Sequence, residues 1–494
     1  MEKTTQTRRE ALKHMGLLSA AGTTIALGLS TSQATGQNQS DSRSVQQSTA
    51  ATNNRNTLSS RDGFLAELKQ RVDTTPMVDS HEHLQDEVDR LNDNQNCMRL
   101  FRNYIGDDFA SAGLIYETVF GKEALKEDPI VLWRRLEPYW NAVKHGGYAR
   151  AAQITFKELY GIDKLEERVI PQLQQAFEKL SVKGFYEKIL REHCRLESCQ
   201  VMRTGFPFTE TTQPTLLLQD ICISDFQFGP VDAELTKRVG ITELKNLNDY
   251  HDFLRRWFKK YGPYATAVKC GIAYNRGLDF EKVPAELAEM PFKKRVENAR
   301  LNAEETKLLQ DHLFWFCADL ADEYDLPVKL HTGHYAGSNY MPFSRVAKNV
   351  EQAADLCVRS PKTRFMFMHT AYPFGHELIA VAKHFTNALI QTCWAWIIDP
   401  VGTKNFLKQY IVTAPTNKIN LFGGDYHHVE NVVGHARIAR NGLYAALSEL
   451  VDEGYIDREE AFDLAEALLR RNGRRMFNLE KKYEAVRNAP WNKK

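Results

Sequence analysis

The chain has 494 residues, of which 43% are hydrophobic and 26% charged, with 64 Lys and Arg against 63 Asp and Glu. These proportions are typical of a globular protein that buries a large core, and they exclude a disordered or fibrous chain. The net charge of +1 offers no electrostatic attraction to nucleic acid or to an anionic membrane, so we expect neither partner. Apolar runs stay shorter than the roughly 20 residues that span a bilayer, and no stable membrane anchor is expected.

Residues 1–34 have the pattern of an export signal. Arg8 and Arg9 precede a weakly apolar stretch over 16–29, and small residues follow where a signal peptidase would cut. The pattern resembles a twin-arginine signal, although Ala11 stands where a large apolar residue is usual. In residues 35–60, 18 of the 26 are Ser, Thr, Asn or Gln, and such a segment predicts a flexible linker. We therefore expect a protein exported to the periplasm or the extracellular space.

Eight short β-branched or apolar runs predict strands, at 77–79, 198–203, 219–224, 264–271, 326–331, 364–369, 387–393 and 419–424. Helix-length patterns lie between the later runs, at 242–260, 295–323, 344–359, 402–411 and 433–450. Strands that alternate with helices pair in parallel, and eight such units predict a closed (β/α)8 TIM-like barrel of the α/β class. A doubly wound open sheet is the alternative, but the glycine-rich fingerprint of many such sheets is missing.

The predicted folded part, residues 61–494, is longer than the roughly 250 residues that a barrel needs. The surplus follows the first strand, where residues 84–197 have mostly the pattern of amphipathic helices, at 130–145, 148–160 and 164–193. We predict a helical insertion that covers the barrel mouth and shapes substrate access. A final helix is predicted after Asp457, which forms a capping box with Glu460.

The strongest chemical signal is the segment Asp79-Ser80-His81-Glu82-His83. Residues two apart on a strand point to the same side, so His81 and His83 can approach one ion together. Imidazole is the commonest protein ligand for zinc and similar metals. A lone pair of histidines at this spacing is more often a surface feature than a metal site, so the pair needs companions.

Three companions stand at the ends of other predicted strands. His331 closes the fifth strand, His369 closes the sixth, and Asp425 follows the eighth. The carboxyl ends of barrel strands meet at one face, which carries the active site in enzymes of this architecture. The four histidines and the aspartate therefore predict a metal site assembled from segments far apart in sequence.

The chain resembles the amidohydrolase superfamily, specifically the amidohydrolase-related group that also contains decarboxylases, and it is more weakly similar to the uronate isomerases. The segments that carry the resemblance occur in the family's order, at 79–84, 268–278, 330–333, 368–374 and 421–425, with 156–163 similar to the isomerases. The resemblance implies one divalent metal ion held by His81, His83, His331 and Asp425, with His369 as a further ligand or a catalytic group. Zinc is the favoured ion, with manganese and iron as alternatives.

Four further residues are predicted to contact a small-molecule substrate. In two-metal amidohydrolases a carbamylated lysine on the fourth strand bridges the ions, but the local pattern favours Lys269 as a cation beside the substrate. Tyr274 and Arg276 are candidates for holding a substrate carboxylate, since Arg offers a bidentate fork. His334 is a candidate substrate contact. Trp394 and Trp396 are expected to pack in the core rather than to bind sugar.

The leading interpretation is a metal-dependent hydrolase that acts on a small, carboxylate-bearing amide or ester. A metal ion lowers the pKa of bound water, Asp425 would accept the proton of that water, and His369 would polarise the substrate carbonyl. A non-oxidative decarboxylase or a uronate-type isomerase on the same scaffold is the alternative. Isomerases usually carry an Arg soon after the fifth-strand His, where this chain has Thr332-Gly333-His334. A catalytically inactive, exported metal- or ligand-binding protein is a third interpretation, and self-association into a homo-oligomer stays open.

Overall fold

The structure, a computed structural model, describes residues 60–93, 95–203 and 205–492. The chain divides into a unit over Met1–Ser60 and a unit over Arg61–Lys494, and the second contains all the strands found among the described residues. The predicted export signal lies outside the described residues, and so does the predicted linker except for Ser60. Among the described residues, no helix is both long enough and apolar enough to cross a membrane.

Eight parallel strands form the centre of the molecule. They are β1 (Met77–Glu82), β2 (Leu196–Val201), β3 (Leu217–Gln219 and Ile221–Cys222), β4 (Val268–Cys270), β5 (Val328–Leu330), β6 (Phe365–Phe367), β7 (Ala388–Gln391) and β8 (Ile419–Asn420). Each strand pairs in parallel with the next in the chain, and β3 is interrupted at Asp220. The amide of Ser80 donates to the carbonyl of Phe422 over 3.0 Å, and the amide of Asp425 donates to that of His81 over 2.9 Å. These bonds close the barrel between β8 and β1, and the predicted barrel fold is confirmed.

Helices surround the strands. They are α1 (60–74), α2 (Glu87–Leu91), α3 (Tyr104–Ser111), α4 (Glu117–Phe120), α5 (Pro129–Val143), α6 (Gly147–Tyr160), α7 (Ile170–Leu180), α8 (Phe185–Glu187), α9 (Ala233–Lys237), α10 (Leu247–Tyr261), α11 (Ala285–Val296), α12 (Ala303–Glu323), α13 (Phe343–Arg359), α14 (Gly375–His384), α15 (Ala395–Ile398), α16 (Pro400–Thr413), α17 (Val432–Asp452), α18 (Arg458–Glu466), α19 (Asn472–Met476) and α20 (Leu479–Arg487). The described residues between β2 and β3 contain no helix. The residues between β1 and β2 are mostly helical, and their role as an insertion remains a prediction.

Several predicted helices differ in extent from the observed ones, and three of the differences have a clear local reason. The helix predicted over 295–323 begins only at Ala303, because Asn302 forms a capping box at that point and fixes the start of α12. The pattern over 164–193 is interrupted, since Gly184 adopts a left-handed conformation with φ of 91°. The capping box at Asp457 is present, but α18 is not the final helix, because α19 and α20 follow it.

The barrel interior and the shell between strands and helices are both buried. The residues of β4, β5, β6 and β7 are all buried, as expected when parallel strands are covered by helices outside and by one another's side chains inside. The eight cysteines are buried and free, including Cys194 and Cys199, which lie close together in the sequence. The core thus holds the strand ends in a fixed arrangement. The polar residues that directly follow the strands are therefore held in fixed positions as well.

Candidate metal centre and active site

The ends of β1 and β8 bring two histidines onto one carboxylate. His81 lies within β1 and His83 directly follows it, and both point into the barrel mouth as the two-residue strand period predicts. His81 Nε2 is 3.2 Å from Asp425 Oδ1, and His83 Nε2 is 3.1 Å from the same oxygen. The three ligand atoms are close enough together to hold a metal ion. Among the described residues, His81 Nε2 and Asp425 Oδ1 are buried without a well-formed hydrogen bond, which suits atoms that share a cation.

Neighbouring backbone groups orient these ligands. His83 Nδ1 lies 2.8 Å from the carbonyl oxygen of Met202. It must donate its proton there, which leaves the Nε2 lone pair for a metal. The Asp79 carboxylate accepts from the amides of His81 (3.1 Å) and Gly424 (3.3 Å). Asp79 therefore holds the ends of β1 and β8 in register behind the site.

His331 and His369 form a second pair beside the first cluster. His369 Nδ1 is 3.0 Å from the carbonyl of Cys393, and His331 Nε2 is 2.9 Å from the carbonyl of His334. Both of these nitrogens must donate, so the lone pairs of His369 Nε2 and His331 Nδ1 face each other across 3.1 Å. Two facing lone pairs are unfavourable unless a cation lies near them. Two nitrogens each about 2.0–2.1 Å from one ion can be separated by this distance.

The electrostatics of the site favour neutral imidazoles around one ionised carboxylate. Burial lowers the pKa of His81 and His331 well below the usual value, and lowers the pKa of His369 to about 4. Burial alone would raise the pKa of Asp425, but the contacts with His81 and His83 hold it well below its usual range. These are the protonation states that metal binding requires, because ligands must present lone pairs.

The backbone near the site adopts unusual conformations. His369, Thr370 and Ala371 have φ angles of 59°, 52° and 50°, and Trp394 and Asp425 have 61° and 63°. The left-handed region costs a residue with a side chain roughly 1–2 kcal/mol. Such conformations persist only where the surrounding structure enforces them, and they cluster at functional sites. The ends of β6, β7 and β8 therefore store strain where the candidate ligands lie.

A cavity of about 510 Å³ lies over the cluster and is lined by His83, His331, His369 and Asp425, together with the predicted substrate contacts Lys269 and Tyr274. Lys269 is the middle residue of β4 and pairs in parallel register with Lys329 of β5. None of the described residues forms a hydrogen bond or an ion pair with Lys269 Nζ. An amino group in this position is available to an anionic or hydroxylated substrate.

Comparisons with known proteins show what the chain is similar to. The amidohydrolase family model matches residues 251–479. Two curated relatives are uronate isomerases. That of Nostoc punctiforme is 24% identical over 232 residues, which cover 43% of this chain and 47% of the relative. That of Rhizorhabdus wittichii is 23% identical over 188 residues, covering 35% and 40%. The chain thus aligns with less than half the length of these relatives.

Solved structures extend the likeness to most of the chain. The uronate isomerase of Thermotoga maritima superposes with a TM-score of 0.64 at 14% identity, covering 84% of this chain and 97% of that one. The glucuronate isomerase of Caulobacter crescentus gives 0.62 at 15% identity, covering 85% and 95%. At such identities the likeness establishes the fold. The chain is similar to the amidohydrolase superfamily, whose family model matches just under half of it. Members of this superfamily bind divalent metal ions, and the clusters around Asp425 provide candidate ligand groups.

Two predicted substrate contacts lie outside the cavity. The guanidinium of Arg276 is paired with Asp311 at 2.6 Å and with Asp279 at 3.2 Å, and it does not line the cavity. The His334 ring packs against Trp394 and Tyr372, at centroid distances of 5.5 and 6.1 Å. Neither side chain is placed to hold a substrate carboxylate. Arg276 is turned away because two acidic residues, one of them on α12, neutralise it.

Sequence patterns missed the cavity residues that come from the helical segment after β1. Asn103, Tyr104 and Asp107 line the cavity. Tyr104 OH donates to the backbone carbonyl of Asp425, and its ring stacks on Trp394 at 4.5 Å. Only the packing of α3 on the barrel reveals them, since no strand end or metal motif marks this stretch.

The two tryptophans after β7 pack as the sequence predicts. Trp396 is fully buried, and its Nε1 donates to the carbonyl of Leu421 over 2.9 Å. Trp394 is 1% exposed and contacts His369 edge-on at 5.3 Å. Trp394 therefore supports a site histidine, and neither ring lines the cavity.

Proposed function

We propose that this protein is a metal-dependent isomerase that interconverts the aldose and ketose forms of a small sugar acid of the uronate type. The cavity carries the proposal, because hydroxyl, amide and amino groups from Tyr274, Asn275 and Lys269 surround the candidate metal cluster. Such groups suit a polyhydroxylated anion, since each can hydrogen-bond a sugar hydroxyl or a carboxylate. The curated relatives with which the chain aligns are named as uronate isomerases, which supports the same reaction.

The residues proposed to hold the metal ion are His81, His83 and Asp425, with His331 and His369 beside them. When bound, a divalent ion would polarise the carbonyl and hydroxyl oxygens of the substrate. We propose zinc, with manganese and iron as alternatives, because a set of nitrogen and oxygen ligands suits each of them.

Isomerisation moves one hydrogen between neighbouring carbons and one between their oxygens, with no net addition of water. Asp425, kept ionised by its contacts with His81 and His83, accepts the hydroxyl proton and returns it to the other oxygen. The ammonium group of Lys269 stabilises negative charge that develops on these oxygens. Tyr274 OH, which accepts from the amide of Ala336 over 3.2 Å, donates to a substrate hydroxyl.

Hydrolysis of a small carboxylate-bearing amide or ester is the second candidate. It is favoured by Thr332-Gly333-His334, which follow β5 where isomerases usually carry an arginine, and by the engagement of Arg276 outside the cavity. In that reaction Asp425 would take the proton of the attacking water and deliver it to the leaving group. Non-oxidative decarboxylation and an inactive, exported binding protein remain further alternatives on the same scaffold.

The deciding experiment combines metal content with product analysis on protein that starts at residue 60. Elemental mass spectrometry of the wild type is expected to find about one divalent metal per chain, and the His81→Ala/His83→Ala variant is expected to lose it. Proton NMR of the metal-loaded wild type with D-glucuronate or D-galacturonate should detect the corresponding ketose.

The exposed His376 on α14 supplies the matched control, and His376→Ala should retain both metal and turnover. Ketose without a bound metal, or in the double variant, would contradict the proposed mechanism. Release of an acid and an amine or alcohol from model amides or esters, without any ketose, would move the assignment to the hydrolase. No metal after reconstitution would overturn both reactions.

A further inference from the structure

A second cavity, of about 550 Å³, adjoins the first and is called here the outer cavity. The two share His83, Arg102 and His427 in their walls. The rings of His83 and His427 stack at 5.0 Å with an interplanar angle of 17°. Because His83 is also a candidate metal ligand, the outer cavity begins directly at the edge of the candidate metal centre.

The outer cavity is lined by three guanidinium groups, those of Arg99, Arg102 and Arg203, and no aspartate or glutamate stands among the described residues that line it. Arg99 is paired with Asp93 at 2.5 Å, and Arg203 with Asp89 at 2.8 Å. Within the described ranges, the guanidinium of Arg102 has no ion pair with a carboxylate, and its polar neighbour is the hydroxyl of Tyr116, which also donates to the carbonyl of Arg102. Three cations against two carboxylates leave an excess of positive charge beside the cavity.

The two cavities are each large enough for a small ligand, because ligand pockets begin at roughly 300 Å³. The proposed function places a single sugar acid in the inner cavity, with its reacting end at the candidate metal centre. The outer cavity is therefore additional space, and its arginines suit an oxyanion, since guanidinium pairs bidentately with carboxylate and with phosphate.

We propose that the outer cavity binds a second anionic group of the substrate, so that the preferred substrate is a sugar acid extended by a further acidic unit. This inference rests on the proposed function, because it assigns the sugar acid to the inner cavity. Arg102, which lines both cavities, spans the junction, and Arg203, whose side chain is 28% exposed, contacts the distal oxyanion. The buried Arg99 adds positive charge from the wall of the cavity. That oxyanion is either the carboxylate of a second sugar-acid unit or a phosphate.

The test is calorimetric binding to the metal-loaded wild type. The probes are D-galacturonate with one anionic group, digalacturonate with a second carboxylate on the unit joined at O4, and D-galacturonate 4-phosphate with an added phosphate at the same position. A charge-assisted hydrogen bond should strengthen binding of a two-anion probe by about tenfold or more over D-galacturonate. The probe that binds more tightly than D-galacturonate identifies the distal group as a carboxylate or a phosphate. The gain should shrink as sodium chloride is raised, because it is electrostatic.

Variants locate the effect. Arg102→Gln and Arg203→Gln should each reduce the ratio of the affinity for the two-anion probe to the affinity for D-galacturonate. Arg102→Lys should preserve part of this affinity ratio. Arg359→Gln is the matched control, because Arg359 on α13 pairs with Glu281 at 2.5 Å but lies outside the outer cavity. Circular dichroism confirms that each variant is folded.

The outcomes are separable. Equal affinities for all three probes in the wild type would overturn the inference and leave the proposed function intact. An affinity ratio that is unchanged in both Gln variants would do the same. An equal gain with the neutral disaccharide galactobiose would show that size, not charge, is recognised, and would also overturn the inference. Failure of every sugar acid to bind would overturn the proposed function and the inference with it.

Discussion

At the residue scale, a buried lysine beneath the candidate metal centre shows how far side-chain chemistry depends on neighbours distant in sequence. Lys329 lies on β5, two residues before His331, so the strand period points both into the barrel. Its amino group donates to the carbonyl of Ser80 (2.6 Å), to Gln200 Oε1 (2.7 Å) and to Asp220 Oδ2 (2.7 Å). This fully buried ion pair links β1, β2 and β3 to β5.

Replacing Lys329 with Met should strongly destabilise the barrel. Asp220 would keep a buried charge without its partner, and breaking such a pair costs about 3–5 kcal/mol. We expect a clear fall in the midpoint of urea denaturation, followed by tryptophan fluorescence. The double variant Lys329→Met/Asp220→Asn removes both charges and should recover most of the loss. A single variant as stable as the wild type would show that the pair contributes nothing to stability.

At the element scale, the helices after β1 are locked to the barrel shell through a close contact between α6 and α17. Gly434 is the third residue of α17. A Cβ built on it would lie 1.8 Å from the carbonyl oxygen of Ala151. Its amide also donates to Thr155 Oγ1 over 3.0 Å. The two backbones approach so closely that only hydrogen fits between them.

Gly434→Ala should therefore lower stability even though alanine favours helix by about 1 kcal/mol. The added methyl must push α6 and α17 apart, and overpacking of this kind costs typically about 1–3 kcal/mol. Thermal unfolding monitored by circular dichroism measures the change. Gly63→Ala on α1 is the matched control, because an added Cβ there meets no atom within 4 Å, and this variant should be neutral or slightly more stable. Equal effects of the two substitutions would contradict the close-contact explanation.

At the scale of the whole molecule, the predicted export signal and linker are proposed to act independently of the barrel. Replacing both arginines of the signal, Arg8→Lys/Arg9→Lys, should abolish export from a host with a twin-arginine pathway, because that signal is recognised by its arginine pair. Cell fractionation and immunoblotting measure the distribution. The matched control is Arg43→Lys/Arg55→Lys in the predicted linker, which should be exported normally. Unchanged export of the twin-lysine variant would contradict the predicted route.

The barrel was predictable because its information is local and periodic. A short apolar run predicts each strand, and the alternation of strands with helices predicts parallel pairing. Parallel pairing places every strand's carboxyl end at one face, so His81, His83, His331, His369 and Asp425 could be grouped without coordinates. Helix limits were less predictable, since the capping box at Asn302 and the left-handed Gly184 decided where helices begin and end.

By itself, then, the sequence determined the barrel, the end of it that carries polar ligands, and the similarity to the amidohydrolase superfamily. Only the tertiary structure decided which side chains share a partner. Arg276 is drawn to Asp311 on α12, Tyr104 reaches the site through the packing of α3, and Arg102 faces the outer cavity. The physical reason is range: periodicity fixes the direction of a side chain along its own strand or helix, whereas charge pairing and burial depend on groups that meet only when the chain has folded.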